Sequence, residues 1–223
     1  MTAEAGVATI ATPDELDVPD DTRGAWVGPA AMAVVGGLLL GVLTNLAQGW
    51  LPGAWNQLAN SGAVWSAVAF GAGALPARRG GVSRAAVGGL AAEAGLVLGY
   101  YGYAEFGRDG MGDLLFPLVW LGMACVAGPL FGVAAHWWRR SPDIRRRITG
   151  LAAFAGLFGM EGVTAAWDLH HASQAWACLA AFVLVPLLMA RTHRERALTL
   201  AAAVPCALLA YAVVELPLQA VSG

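Results

Sequence analysis

The stretch HWWRRSPDIRRRITG, residues 136–150, sets five arginines in a short polar break between two long apolar runs. Two more breaks of this kind occur, RRGGVSR at 78–84 and ARTHRERA at 190–197. All 13 basic residues of the chain are arginine, and eleven of them lie in these three breaks. Between one basic break and the next the chain passes through two apolar segments, the spacing needed to leave a bilayer and come back. Cytoplasmic loops collect Lys and Arg and translocated loops do not. The pattern therefore predicts an all-α, polytopic membrane helical bundle of seven transmembrane helices, with the N-terminus inside and the C-terminus outside.

Composition agrees. The mean hydropathy is +0.61, with 58% hydrophobic and only 13% charged residues among 223, which lies outside the range of ordinary soluble domains. Seven spans of about 20 residues use most of that length, so one membrane domain over residues 26–223 is expected. Residues 1–25 carry six acids against Arg23 and read as a disordered acidic cytosolic tail. They have no basic start, short apolar core and cleavage site, so they do not read as a signal peptide. The rest of the chain has twelve arginines against nine acids, an excess that belongs to topology and points to no nucleic-acid partner. Cys125, Cys178 and Cys206 lie inside apolar runs and read as small buried hydrophobes, without disulfide or metal spacing.

The apolar runs predict helices over Pro29–Trp50, Ser61–Ala77, Ala85–Glu105, Leu114–Trp138, Ile148–Trp167, Gln174–Ala190 and Ala197–Ala220. The second is short, but omitting it would strand Arg78, Arg79 and Arg84 outside. The segment Trp50–Asn60 is too polar to span and reads as interfacial or re-entrant, with Trp50 and Trp55 at headgroup level. Small residues recur four apart at Gly37/Gly41, Ala91/Gly95/Gly99, Gly128/Gly132 and Ala155/Gly159. Such ladders let backbones approach in lipid, and tight packing within one chain is the reading preferred to dimerisation.

Polar residues gather in a few places. Thr44, Asn45 and Gln48 sit at the end of the first run, followed by Asn60 and Trp65. Glu93 and Tyr100 are seven apart on the third, with Tyr101 beside them. Glu161, Thr164 and Asp168 share a face of the fifth, as do Tyr211, Glu215 and Gln219 on the seventh. An intramembrane carboxylate is costly and usually faces a bundle interior or a wet cavity. With no basic residue inside a helix to pair with, these carboxyls need protonation, hydrogen bonds or a bound cation. The arrangement predicts an outward-facing polar cavity formed by the first, third, fifth and seventh spans. Asn45, Gln48, Asn60, Trp65, Tyr100, Tyr101, Glu161, Thr164, Tyr211 and Glu215 would line it, and Glu93 would be a deeper group coupling to a proton or cation. The structural alternative is that each carboxyl only fixes packing.

Asp168, His170 and His171 include suitable metal-ligand types, but adjacent histidines rarely reach one ion, and a solvated loop is the preferred reading. No phosphate-cradling glycine loop, HExxH or nucleophilic serine motif is present. The expectation is therefore no enzyme, no catalytic residue, no metal and no cofactor.

The stretch TNLAQGWLPGAWNQLANSGAVWSAVAFGAGAL (44–75), with GYYGY (99–103), resembles an uncharacterised family of small bacterial polytopic membrane proteins common in actinobacteria. The resemblance covers most of the chain after the tail and implies an integral membrane protein without catalytic residues to carry over. Asn45, Asn60, Trp65, Tyr100 and Tyr101 fall in the matching stretches. The size and outward cavity are also similar to the substrate-binding subunits of vitamin transporters, which dock to a separate ATPase. Those subunits have six helices, and an external C-terminus departs from that plan. The function expected is binding or transport of a small solute at the bacterial cytoplasmic membrane. The alternative is a non-transporting accessory subunit whose arginine loops dock a cytosolic or membrane partner or anionic lipid.

Overall fold

The computed structural model describes residues 21–75, 81–108 and 110–216, with side chains from Val27 onward. All regular secondary structure among the described residues is helical, without strands. In chain order the helices are α1 (Asp21–Trp50), α2 (Trp55–Ala59), α3 (Gly62–Ala74), α4 (Val82–Gly107), α5 (Leu115–Arg140), α6 (Ile144–Trp167), α7 (Ala172–Met189) and α8 (His193–Ala210), the last extended by a π-helical turn at Tyr211–Glu215. Residues 21–25, assigned from sequence to the tail, form the start of α1. Residues 1–20, Arg78, Arg79 and Gln219 lie outside the described residues.

Six helices are long and apolar enough to cross a membrane: α1, α4, α5, α6, α7 and α8 with its π turn. The seventh expected crossing is different. At 13 residues, α3 is about 20 Å long at ~1.5 Å per residue, short of the ~30 Å hydrocarbon core. It still reverses the chain. Gly37 and Gly41 of α1 approach Ala92, Leu96 and Tyr100 of α4 in ascending order, so α1 and α4 are parallel. Between them α3 runs the other way, with Ala72 near Gly88 and Trp65 against Tyr100. The parallel arrangement recurs at α6 and α8, where Arg147 meets Glu195 and Gly156 meets Ala203 and Ala207. Passes therefore alternate in direction, and α3 makes its return inside the bundle, packed by α4, α5 and α6.

A half-length helix in the core exposes its terminal amides and carbonyls where no water can satisfy them. Here ionisable side chains cover both ends. At the start, Ser61 is the N-cap and its Oγ accepts from Val64 N at 3.2 Å. Glu161 of α6 accepts from Ala63 N at 2.7 Å and from the Ser61 hydroxyl. At the end, Arg139 Nη1 donates to the Ala74 carbonyl at 2.8 Å.

The glycine ladders lie at contacts within the chain. A Cβ on Gly37 or Gly41 would overlap the backbone of Ala92 or Leu96, and one on Gly132 the backbone of Ala85. The densest apolar core joins α3, α5 and α6 through Phe70, Phe131, Phe154 and Phe158, with Phe70 and Phe154 stacked at 4.3 Å. The second and third arginine breaks meet at one end of the bundle and knit it. Arg147 Nε pairs with fully buried Glu195 at 2.9 Å, and Arg191 Nη2 donates to the carbonyls of Trp138 and Arg139.

Candidate functional site

A cavity of ≈870 Å³ lies beside the start of α3. Its floor comes from α3, α4 and α6, and its two sides from α5 and the α8 end. From sequence, α1 was expected to be a wall and α5 was not. The structure reverses this, because α1 packs on the far side of α4 while α5 covers α3.

Glu93 lines the cavity from α4 and is 5% exposed. The Ser66 hydroxyl hydrogen-bonds its carboxyl, while Oε2 is buried and has no hydrogen-bond partner. Because α4 begins at Val82, three residues before the expected start, Glu93 is eleven residues into the helix. That depth is about 16 Å at ~1.5 Å per residue, close to mid-bilayer. A buried carboxyl oxygen without a partner costs free energy that a ligand's donor or cation would recover.

Glu161 has other employment. Its two oxygens accept from Ser61 and Ala63, and the Gly62 amide adds a further bond. It therefore closes the N-terminus of α3, where a negative group is also favoured by the helix dipole. Glu215 lies near enough to interact electrostatically with Glu161, and both line the cavity together with Asn60, Trp65 and Thr164.

The remaining expected residues stand elsewhere. Asn45, Tyr100 and Tyr101 line a second pocket of ≈410 Å³ with Arg108. There the Asn45 Nδ2 donates to the Tyr100 carbonyl at 3.1 Å, and Arg108 Nη1 donates to Asn45 Oδ1 at 2.9 Å. Gln48 joins through the Tyr100 hydroxyl, which donates to its Oε1 at 2.5 Å. Trp65 stands between the two spaces, 5.0 Å from Trp120 and 5.2 Å from Tyr100 by ring centroids. Its indole Nε1 is fixed by the Ala59 carbonyl at 3.0 Å.

One expected cavity thus divides into two, with an aromatic partition. Tyr211 lines neither; it packs against the main apolar core. The π turn at 211–215 is the reason, since i, i+4 alignment holds only while the helix stays α. Sequence reading missed Ser66, Trp120 and Gln174 in the cavity and Arg108 in the pocket. Arg108 had a signal: it is the one arginine after residue 25 outside the three basic breaks. Ser66 and Trp120 had none, being ordinary members of apolar runs. Among the described residues, no three His, Cys, Asp or Glu side chains cluster as metal ligands would.

A family model described as "Family of unknown function (DUF6518)" matches residues 20–220. No curated protein and no solved structure matches the chain.

Proposed function

We propose that this chain, which belongs to the DUF6518 family, binds a small solute within the membrane, at the cavity centred on Glu93, without catalysing a reaction on it. The observation carrying this is that Glu93 lines an ≈870 Å³ cavity and holds a buried Oε2 atom without a hydrogen-bond partner. Ligand sites typically have volumes of about 300–1,000 Å³ with mostly apolar walls and a few placed polar groups, and this one fits both counts. Glu93 is the group that meets the solute's donor or the coupled proton or cation, and Ser66 orients it. Glu161 shapes the site by holding the end of α3.

The arginine end is the cytoplasmic face of a bacterial cytoplasmic membrane by the charge rule, which puts the second pocket with Arg108 on the outer side. Transport then requires the solute to pass the Trp65 partition. An accessory role is the second reading. It is favoured by the exposed arginines Arg145, Arg146 and Arg194 at one end of the bundle, which could hold an anionic lipid or a partner subunit. The test is binding by the purified protein and its Glu93→Gln variant. A solute held by the first, lost from the second and independent of Arg145→Gln supports the cavity. Binding of a partner or of anionic lipid that depends on Arg145 and not on Glu93 favours the accessory reading.

A further inference from the structure

The walls of the cavity say how it is entered. Its two sides, α5 and the α8 end, make at most marginal contact with one another. Val126 and Leu130 of α5, and Leu209 and Val213 beyond the gap, line the cavity and are also exposed, Val126 at 69% and Val213 at 65%. Both helices are of membrane-spanning length, so the gap faces the bilayer side of the bundle. A ligand crossing it passes between aliphatic side chains from the first contact inward.

The far end of the cavity is chemically one-sided. Its ionisable lining groups are three carboxyls, Glu93, Glu161 and Glu215, and the Cys206 thiol, and no basic residue lines it among the described residues. Glu161 is saturated by the α3 terminus, whereas Glu93 keeps one oxygen without a donor. Trp65 and Trp120 also face the cavity, and indole faces attract ammonium groups. Anionic heads would find no basic residue and no donor cluster here to hold them.

We infer that the cavity takes an amphiphile with an ammonium head and one apolar chain, admitted sideways from the bilayer between α5 and α8. The head sits at Glu93 and Ser66, beside the Trp65–Trp120 pair, and the chain lies along Val126, Leu130, Leu209 and Val213. This rests on the solute-binding reading of the same cavity and adds the ligand class and the route.

The test uses the full chain in non-ionic detergent with a diazirine-bearing dodecylamine as photoprobe, and mass spectrometry of the labelled peptides. Labelling is expected on α5 and the α8 end, blocked by dodecylamine and not by dodecyl sulfate. It should fall about tenfold or more in Glu93→Gln, the scale of one hydrogen bond to a charged group. Val126→Trp, which fills the gap and leaves Glu93 intact, should lower it as well, so the outcome does not hang on one variant's folding. Thermal melting of each variant in the same detergent verifies that it is folded. Equal competition by dodecyl sulfate, or labelling indifferent to both substitutions, overturns the inference. If tetramethylammonium competes as well as dodecylamine, the sideways amphiphile is wrong while solute binding at Glu93 stands. If neither cation binds, the inference falls, and solute binding at the cavity is decided by the Glu93→Gln comparison alone.

Discussion

Glu161→Ala should destabilise the bundle although it removes no apolar contact of consequence. The carboxyl accepts from the Ser61 hydroxyl, the Ala63 amide and the Gly62 amide at the buried start of α3. Ala63 is fully buried, so water cannot take over. The hydroxyl can rotate to another acceptor and the Gly62 amide lines the cavity, but the Ala63 amide has no such recourse. A buried donor left without a partner costs about 1–3 kcal/mol, which puts the substitution at roughly 1–3 kcal/mol. For a chain of this size that is on the order of 2–12 °C in melting temperature, by the scaling of small globular proteins. Glu161→Gln keeps one carbonyl oxygen and should cost only about 1 kcal/mol. The assay is thermal unfolding in detergent, with Ser61→Ala and the double variant completing a cycle. The two single effects should be non-additive by about 0.5–3 kcal/mol, as expected for direct partners. A Glu161→Ala protein melting within about 2 °C of the unsubstituted chain would refute the capping argument.

Other expectations are independent of that one. In a cysteine-free background, single cysteines at Ser83, Pro142 and His193 should resist an impermeant reagent in intact cells, while those at Leu114 and Ala172 should react; the reverse pattern would invert the proposed orientation. Gly41→Val forces a side chain into the Leu96 carbonyl and should cost about 1–3 kcal/mol or more in stability, the scale of overpacking, whereas Gly36→Ala, with nothing nearby, should be silent in the same melt. Arg147→Ala leaves buried Glu195 without its guanidinium and should cost about 3–5 kcal/mol, against nearly nothing for exposed Arg145→Ala, both read by detergent unfolding.

The long apolar helices, the alternation of passes and the interior place of Glu93 and Glu161 were legible because each leaves a one-dimensional trace, although the seven crossings expected became six long helices and the short α3. Arginines mark one end of the bundle, apolar runs mark spans, and glycines four apart mark close helix contacts. The character of α3 was not legible. Its composition is that of any span, and only the Glu161 and Arg139 contacts at its two ends, from residues about 100 and 65 positions away in sequence, show it to be a capped insert. The same distance problem divided the expected site. Asn45 and Glu161 are both polar and near the same end of their helices, yet the Trp65 partition between them depends on how α3 seats against α4 and α5. Tyr211 failed for a local reason, a π turn that sequence periodicity does not announce. Glu93 was singled out by its depth within an apolar run, and its buried Oε2 atom without a partner is the structural counterpart of that depth.

The most direct measurement of the central claim is mass spectrometry of small molecules retained by the protein purified in native lipid, comparing the unsubstituted chain with Glu93→Gln at matched melting temperature. A species held in stoichiometric amount by the first and lost from the second is the expected result. Retention that does not depend on Glu93, or a cavity that holds nothing in either protein, would contradict a ligand site at this carboxyl.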